Sequence, residues 1–455
     1  MPLFVYRVAS VAGACDKLRE SVGPDRIGSV SEIPSPPTTW QADMKRYWVA
    51  TIGMLVGFVA SLATADDWPA FLGAHRDGIS KEAGLIERFP PGGPKVVWRA
   101  PGGVGMSAVV VAQGLAVTTW NDAGQQWLVA LDAETGKLRW RTPTGSAYEN
   151  AMGNGPRATP AISGDRVFAY SGEGVLVAAR RDDGEVLWRV DAVGQAGAEP
   201  SDYGMSSSPL VVGDRVIVHV GGAESAIAAY NAADGELSWT AARGAAGYSS
   251  PTLLELAGRP QVVSVTGMEV VGLAPETGSL LWSFPFQTDY GCNTATPIAI
   301  DGGVFVSAGE NHGSVLIDLR PQGERFEAQA RWASLDAKSV MRNEWQTSIV
   351  VDDKLFGFDN VGAAGPVTHL ACLDAKTGKE LWRKMRFGKG NMVYADGKLW
   401  ITTIDGELVV ARAKADGYEE LGRASLAGKT RQTLSIAQGR GYLRDDQEVI
   451  CVALK

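Results

Sequence analysis

The chain has 455 residues, of which 45% are hydrophobic and 21% charged, a balance typical of a folded globular protein that excludes an intrinsically disordered one. Its formal net charge of −8 argues against a nucleic acid as partner, because proteins that bind a phosphate backbone carry basic patches. The four cysteines and four histidines are widely spaced and match no zinc-binding pattern.

The first 65 residues differ in character from the rest of the chain. Residues 1–43 show no clear periodicity, and we interpret them as an over-extended reading frame or an unstructured leader. Residues 44–65 start with Met-Lys-Arg, continue with a short apolar run and end in Ala-Thr-Ala, which is the pattern of a signal peptide. The apolar run is shorter than the ~20 residues of a membrane-spanning helix. We therefore expect cleavage, no stable membrane span afterwards, and export of residues 66–455 to the periplasm or the cell exterior. A retained membrane anchor is the alternative.

A tryptophan recurs through the rest of the chain at a fixed place in a sequence pattern. It follows an Asp-x-x-Thr-Gly turn most clearly in ALDAETGKLRW at 130–140, and again in ACLDAKTGKELW at 371–382. A degenerate last copy has Leu421 at the tryptophan position. We interpret the tryptophans as structural anchors that lie between neighbouring sheets; they are Trp98, Trp140, Trp188, Trp239, Trp282, Trp332 and Trp382.

Each unit between successive anchors contains four short strand patterns separated by Gly and Asp turns. Units of 39 to 51 residues with four strands are typical of the blades of a β-propeller. After Leu421 only three strand patterns remain, and a single strand pattern that carries Trp98 precedes the first full unit. We therefore predict an all-β, eight-bladed propeller that is closed by pairing of the N-terminal strand with the C-terminal blade. Such closure removes a free sheet edge.

The pattern at 130–140 resembles the repeat of the PQQ-like propellers, the quinoprotein alcohol dehydrogenase-like family. The stretches DWPAFLGAHRDGIS at 67–80 and FGKGNMVYADGKL at 387–399 are similar to a secreted subgroup described as PQQ-binding-like. The resemblance extends from about residue 67 to the last residue. It implies a propeller fold, in a superfamily that includes quinoprotein alcohol dehydrogenases and the propeller lipoprotein of the outer-membrane β-barrel assembly machinery.

The resemblance specifies activity less closely than fold. Enzymes of this superfamily hold PQQ over a calcium ion, commonly against a disulfide between adjacent cysteines and with a catalytic Asp nearby. This chain has no adjacent cysteines, no cysteine placed for lipid attachment, and the length of a bare propeller after residue 65. These departures from the quinoprotein pattern argue against an enzyme and against a cofactor, so we assign no catalytic and no metal-binding residues. PQQ with Ca²⁺ remains the alternative.

Loops at one rim of the predicted ring carry most of the chemically capable side chains. The densest group falls in the fifth and sixth units, where carboxylates and amides are suited to Ca²⁺ and where Arg342 and Trp345 are suited to clamp an anionic or sugar-like ligand. Local turns and ion pairs are the alternative role for the same side chains. The candidate ligand-binding residues are Tyr203, Tyr248, Asn293, Glu310, Asn311, His312, Arg342, Asn343, Glu344, Trp345, Asp359, Asn360, Lys389 and Arg431.

These features predict an exported, non-catalytic and monomeric propeller that acts as a binding or protein-interaction module. Its ligand is an unidentified protein, small molecule or glycan. The first alternative is a PQQ- or metal-dependent oxidoreductase, and the second is a carbohydrate-active enzyme that uses rim carboxylates. If Arg342 and Asn343 bind the ligand, replacing both with Ala is expected to abolish binding and leave the melting temperature nearly unchanged.

Overall fold

The computed structural model describes residues 66–363, 365 and 367–455, so the predicted leader (1–43) and signal peptide (44–65) lie outside the described residues. The described part is almost entirely β-structure, arranged as eight sheets. It also contains the short helix α1 (Ala192–Gln195) and two 3-10 turns, Asp289–Gly291 and Asp336–Lys338. Within this part of the chain, no helix has the length and apolarity needed to cross a membrane.

Two strands, β1 (Ile79–Ser80) and β2 (Val96–Pro101), precede the first complete blade. Blades 1 to 4 are antiparallel sheets whose four strands are consecutive in sequence. Blades 1 and 2 consist of β3 (Val110–Ala112), β4 (Leu115–Asp122), β5 (Gln125–Asp132), β6 (Leu138–Ser146), then β7 (Ala161–Ser163), β8 (Arg166–Tyr170), β9 (Val175–Arg180) and β10 (Val186–Asp191). Blades 3 and 4 consist of β11 (Leu210–Val212), β12 (Arg215–His219), β13 (Ile227–Asn231), β14 (Leu237–Ala241), then β15 (Thr252–Leu256), β16 (Arg259–Val265), β17 (Glu269–Leu273) and β18 (Leu280–Pro285).

Blades 5 to 7 continue this pattern, with β1 added to blade 7 as a fifth, parallel strand, and blade 8 takes only three consecutive strands from the end of the chain. Blades 5 and 6 consist of β19 (Ile298–Ile300), β20 (Gly303–Ala308), β21 (Gly313–Gln322), β22 (Arg325–Leu335), then β23 (Ile349–Val351), β24 (Lys354–Val361), β25 (Val367–Asp374) and β26 (Glu380–Lys384). Blades 7 and 8 consist of β27 (Gly390–Ala395), β28 (Lys398–Thr403), β29 (Glu407–Arg412), β30 (Glu420–Ser425), then β31 (Ser435–Ala437), β32 (Arg440–Arg444) and β33 (Glu448–Ala453).

A strand from the start of the chain completes the ring. Strand β2 pairs with β33 as the outermost strand of blade 8 and places Trp98 opposite Cys451. The first strands of neighbouring blades pack side by side around the axis, so β3 of blade 1 contacts both β7 and β31. The predicted eight-bladed propeller, closed by its N-terminal strand, is confirmed.

The hydrophobic core lies between neighbouring blades. The described residues form seven apolar clusters, and each of them combines side chains from adjacent blades. The largest cluster spans the two interfaces around blade 8 and includes Trp400 of blade 7, Tyr442 of blade 8 and Val129 of blade 1. Because a single four-stranded sheet cannot cover its own two faces, contacts between blades determine whether the ring forms.

Five of the seven repeated tryptophans dock on a Thr-Gly or Asp-Gly turn of the following blade. The Trp98 indole N–H donates to the Ala133 carbonyl at 3.1 Å, and its ring lies against Gly136. A Cβ atom on Gly136 would come within 2.6 Å of the indole, and its φ of 71° is one that glycine adopts readily. The same contact is repeated by Trp140 on Gly184, Trp188 on Gly235, Trp239 on Gly278 and Trp332 on Gly378.

Trp282 of blade 4 does not dock on the next blade in this way. Its indole N–H donates to Gln261 Oε1 at 2.7 Å, and its ring packs on Gly272 of its own sheet. Blade 5 has a long β21–β22 hairpin at the position where blades 1 to 4 and blade 6 have a Thr-Gly or Asp-Gly turn. The docking surface is therefore missing, and the hairpin packs β22 against β18 of blade 4 instead.

Leu421, the degenerate copy of the motif, is compensated by a residue from the start of the chain. Phe89 lies against Gly422, next to the missing indole, with its ring centroid 6.2 Å from that of the fully buried Trp400. An aromatic side chain from outside the repeats therefore fills the joint between blades 7 and 8.

Candidate functional site

A cavity of about 430 Å³ lies on the axis of the ring and is lined by residues from all eight blades. Most of these residues, such as Met106, Tyr203 and Trp345, come shortly before the first strand of their blade, which brings them to the same end of the ring. We call this end the loop face. The volume falls within the range of ~300–1,000 Å³ that is usual for small-ligand sites.

Residues 68–80, which we call the floor segment, cross the ring below the cavity. Trp68 exchanges two backbone hydrogen bonds with Val111 of blade 1, at 2.6 and 2.8 Å. At the other end of the segment, Ile79 and Ser80 extend blade 7 by pairing in parallel with Tyr394 and Ala395. Between these two attachments, Phe71 contributes to the lining of the cavity. The cavity is therefore a cup that opens toward the loop face.

Arg76 attaches the floor segment to blade 3. Its guanidinium donates to the carbonyls of Ser208 and Pro209 at 2.8 and 2.7 Å, and only 3% of the residue is exposed. Burial lowers the pKa of Arg76 to about 9. A guanidinium held in this way ties the segment to the inner wall of the cup at a third point.

Hydroxyl groups join the inner strands into a continuous wall. Thr159 Oγ1 accepts from the Ala108 N–H at 3.0 Å, Ser208 Oγ from the Thr159 N–H at 3.0 Å, and Ser250 Oγ from the Ser208 N–H at 2.9 Å. These residues precede the first strand of consecutive blades and line the cavity. The recurring Ser/Thr-Pro sequences therefore link each of these blades to the next by a hydrogen bond in the lower wall of the cup.

Trp345 and three charged side chains form one side of the cup. The Lys389 ammonium lies 4.7 Å and the Arg431 guanidinium 5.2 Å from the Trp345 ring centroid, within range of a cation–π interaction. Lys389 also pairs with Glu344 at 2.7 Å. Burial raises the pKa of Glu344, and the ion pair with Lys389 opposes this effect.

Two tyrosines form the opposite aromatic side of the cup. The ring centroids of Tyr203 and Tyr248 lie 5.5 Å apart. Burial raises the pKa of Tyr248 to about 12, so its phenol stays protonated at neutral pH. Next to them, Arg157 donates to the carbonyls of Tyr203, Gly153 and Gly155, and these three hydrogen bonds hold the loops in place.

The structure brings half of the candidate ligand-binding residues together around the cup. These are Tyr203, Tyr248, Glu310, Glu344, Trp345, Lys389 and Arg431. The other half lies outside the cavity lining, in contacts that brace the loops: Asn293, Asn311, His312, Arg342, Asn343, Asp359 and Asn360.

Arg342 and Asp359 form a buried ion pair behind the loops. Arg342 donates to both carboxylate oxygens of Asp359 at 2.6 and 2.9 Å, and Arg383 donates to the same carboxylate. Asn343 donates to the Phe358 carbonyl, and the Asn360 side chain donates to the Arg342 carbonyl. These contacts change one expectation from the sequence, because replacing Arg342 and Asn343 with Ala should destabilise the protein rather than leave its melting temperature unchanged.

Asn293, Asn311 and His312 have similar bracing roles. Asn293 donates to the carbonyls of Thr266 and Phe286, while Asn311 accepts from the Gly362 N–H at 2.9 Å. The His312 ring meets that of Phe286 edge to face, with centroids 4.6 Å apart. Burial lowers the pKa of His312. These three side chains therefore hold neighbouring loops in place and do not line the cavity.

Several lining residues were missed by the sequence analysis. Met106, Arg157, Thr294 and Gln432 stand shortly before a first strand, so the position of each residue within the repeat would have found them. Phe71 could not be found in this way, because it belongs to the floor segment outside the repeats.

The lining does not fit the quinoprotein arrangement of PQQ over calcium. Cys292, the cysteine in the lining, is a free thiol without a neighbouring cysteine. Glu344 already pairs with Lys389. Among the described residues, no group of three or more His, Cys, Asp and Glu side chains is placed to hold a metal ion.

Comparisons with known proteins support the assignment of the repeat. A family model described as the outer membrane protein assembly factor BamB matches residues 127–356 and 367–454. The BamB protein of Shewanella oneidensis is 25% identical over 301 residues, which cover 63% of this chain and 73% of that protein. The crystal structure of BamB from Moraxella catarrhalis superposes with a TM-score of 0.51 at 16% identity, covering 79% of this chain and 98% of that one.

A quinoprotein has the same fold. The crystal structure of quinohemoprotein alcohol dehydrogenase from Comamonas testosteroni superposes with a TM-score of 0.60 at 14% identity, covering 85% of this chain and 80% of that one. At such low identity the two structural matches bear on the fold alone. The family model, by contrast, spans most of the ring. The chain therefore belongs to the PQQ-like β-propeller family whose model is described as the outer membrane protein assembly factor BamB.

Proposed function

We propose that this protein is an exported, non-catalytic binding module of the cell envelope that takes a ligand in its central cup. The observation that carries the proposal is the form of the cavity. All eight blades supply its wall, the floor segment lies across one end, and the loop face leaves the other end accessible. A preformed concave site of this kind, with few polar groups at fixed positions, is typical of ligand binding.

The chemistry of the lining favours binding over catalysis. The Cys292 thiol has a raised pKa, first because of burial and then because of the negative charges on Glu310 and Asp202. A catalytic cysteine needs the opposite shift, since the thiolate is the nucleophile. Arg157 is committed to loop carbonyls and Lys389 to Glu344, so both cations have structural partners.

Location in the cell envelope is supported by the relatives and by the start of the chain. Two of the curated relatives, from Shewanella oneidensis and Yersinia pestis, are named outer membrane protein assembly factors. Residues 44–65 have the signal-peptide pattern. To test export, residues 44–70 can be fused to alkaline phosphatase, which is active only outside the cytoplasm. We expect active enzyme, and we expect replacement of Leu55 and Val56 with Asp in the apolar run to abolish it.

Catalysis is tested directly with PQQ. The purified chain is mixed with PQQ, Ca²⁺, a primary alcohol and an artificial electron-accepting dye, and reduction of the dye is followed. We expect no reduction above the rate without protein. Dye reduction that saturates with PQQ and disappears in Trp345→Ala would show an oxidoreductase and overturn the proposal.

A protein partner at the loop face is the second candidate. Tyr290 is 77% exposed and Met268 48% exposed, and both lie on loops next to the cup. A photo-crosslinking amino acid at position 290 should capture one defined envelope protein. The same amino acid at position 237, where Leu237 is 52% exposed on an outer strand, serves as the matched control and should capture none.

A further inference from the structure

The charged side chains that line the cup are separated by sign. Arg157 precedes the first strand of blade 2 and Arg431 precedes that of blade 8, so the two arginines flank blade 1. Glu310 lies in the turn between β20 and β21 of blade 5, which is opposite blade 1 in the eight-bladed ring. Lys389 and Glu344 neutralise each other as an ion pair. The cup therefore carries positive charge on one side and negative charge on the other.

The two arginines on the positive side hold the same loop. Arg431 donates to the Met152 carbonyl at 2.8 Å, and Arg157 donates to the carbonyls of Gly153 and Gly155. Burial lowers the pKa of Arg157, and the nearby charge of Arg431 contributes to this shift. Within the described part of the chain, the hydrogen bonds of both guanidinium groups all go to carbonyl oxygens. Arg431 is also exposed, so an anionic group that enters the cup can reach it.

Negative charge dominates on the opposite side, around the two tyrosines. Burial raises the pKa of the Cys292 thiol, and the carboxylates of Glu310 and Asp202 raise it further. Among the described residues, no basic group opposes this shift. Tyr203 and Tyr248 line the same side of the cup, with ring centroids 5.5 Å apart, and an aromatic face attracts a cation. A positively charged group is therefore favoured on this side.

Apolar side chains supply much of the remaining lining. Phe71 lies on the floor, and Met106 and Ile404 lie on the wall. All three are half-buried, so they keep surface that a ligand can contact. A matching ligand carries a cation at one end, an anion at the other and apolar groups between them. A short peptide with free ends has this form, and its side chains help to fill a cavity of about 430 Å³.

We propose that the cup binds a short apolar peptide with free ends, its ammonium group directed toward Glu310 and its carboxylate toward Arg431 and Arg157. The proposal rests on the proposed binding function and names the chemical class of the ligand. The floor segment closes the cup below, so the peptide enters from the loop face. Its length is limited, because both ends must reach opposite sides of the cup at once and each residue adds ~3.3–3.6 Å to an extended chain.

The ligand class is tested by isothermal titration calorimetry of the full chain with alanine peptides of two to five residues. We expect one length to bind most tightly. Acetylation of its amino end, or amidation of its carboxyl end, should weaken binding roughly tenfold or more, because one charged side of the cup then loses its partner. δ-Aminovaleric acid, which has both charges but no side chains, should also bind roughly tenfold more weakly.

Two variants place the ends of the peptide. Glu310→Gln should weaken the free peptide roughly tenfold and leave the acetylated peptide nearly unchanged, since the latter has no ammonium group. Arg431→Gln should weaken the free peptide likewise and leave the amidated peptide nearly unchanged. Glu224→Gln and Arg243→Gln are the matched controls, because these side chains pair at the surface, 74% and 75% exposed, outside the cavity lining. Equal affinities in the variants and their controls would overturn the placement.

The outcomes separate the ligand class from the binding function itself. The blocked and free peptides are compared on the unaltered chain, so the comparison holds even where a variant fails to fold. Equal affinities of free and doubly blocked peptides, or no binding at millimolar concentration, would overturn the peptide proposal. Tighter binding of a blocked peptide or of δ-aminovaleric acid, with slower alkylation of Cys292 in the lining, would overturn it and leave the binding module intact. PQQ-dependent dye reduction would instead overturn the proposed function.

Discussion

Asp359 has no exposed surface, and two arginines compete for its carboxylate. Both of its oxygens accept from Arg342, and Arg383 adds a further hydrogen bond. From the sequence we expected the candidate ligand-binding residues of this region to lie close together, and Arg342 and Asp359 do contact each other. It could not show that the cluster lies behind the loops, because burial depends on side chains that approach from other strands.

We predict that Arg342→Ala lowers the free energy of unfolding by about 3–5 kcal/mol, because it removes the larger share of the partners of a buried carboxylate. Urea denaturation measures the loss. Arg139→Ala is the control, since Arg139 pairs with Asp132 at the surface, and the side chains are 53% and 25% exposed. The control should lose less than ~1 kcal/mol. Equal losses in the two variants would contradict the buried role.

His219 makes stability depend on pH. Burial lowers its pKa to about 4, whereas an unfolded histidine titrates with its usual pKa of about 6.5. Between these values the unfolded chain binds the proton and the folded chain does not, so stability is lost as the pH falls through this window. We predict that the unaltered chain loses roughly 3 kcal/mol more than His219→Gln between pH 6.5 and pH 4. Parallel curves of unfolding free energy against pH would contradict this.

The turn that ends in a glycine, Thr135-Gly136 in blade 1, is the element on which most neighbouring blades dock. The Asp132 carboxylate accepts from the Thr135 hydroxyl at 2.8 Å and from the Thr135 N–H at 2.9 Å, and this bonding lowers the pKa of Asp132. The turn thereby presents Gly136 to the Trp98 indole. The spacing of the motif was enough to predict this element, because all of its parts are local in sequence.

We predict that Gly136→Ala destabilises the protein more than Gly397→Ala does. Both glycines have positive φ, 71° and 74°, so each variant should lose about 1 kcal/mol from backbone strain. Only at Gly136 would the new Cβ meet an indole, while Gly397 has no atom within 4 Å of that position. We expect a further loss of about 1–3 kcal/mol at Gly136, measured by urea denaturation. Equal losses would exclude the docking contact.

The departures from the repeat were less predictable. The absence of a Thr-Gly or Asp-Gly turn in blade 5 is visible in the sequence, yet the packing of Trp282 on Gly272 of its own sheet follows only from the resulting lack of a docking surface. Leu421 marks a missing indole, and the side chain that replaces it, Phe89, is more than three hundred residues away in the chain. Packing across such distances has no local signal.

For the whole molecule, the count of eight blades and their closure followed from the spacing of the anchors. The floor segment did not, because residues 68–80 show no periodicity that assigns them to a blade. The structure places this segment across the ring, where it contacts blades 1, 2, 3 and 7. Half of the candidate ligand-binding residues were likewise predicted to lie at the cup from their place in the loops of the repeat. The closed end of the cup could not be predicted, because it is formed by the floor segment.

We predict that Arg76→Ala releases the floor segment from the inner wall. The amides of Ile162 and Tyr394, which donate to the carbonyls of Pro69 and Gly78 at 2.8 Å each, should then exchange with deuterium faster. His75→Ala changes an exposed residue of the same segment and should leave both rates unaltered. Unchanged exchange in Arg76→Ala would show that the backbone pairing of the segment suffices to hold it.

The pairing of β2 with β33 has a consequence for biosynthesis. As the nascent chain leaves the ribosome, Trp98 emerges more than three hundred residues before Cys451, which lies on the strand opposite it. The ring cannot close until β33 has been made, and bringing β2 and β33 together from such distant points in the chain costs conformational entropy. A prematurely terminated chain would lack β33, so β2 would have no partner and the apolar faces of the two end blades would stay exposed. Such a chain is a natural target for chaperones and proteases.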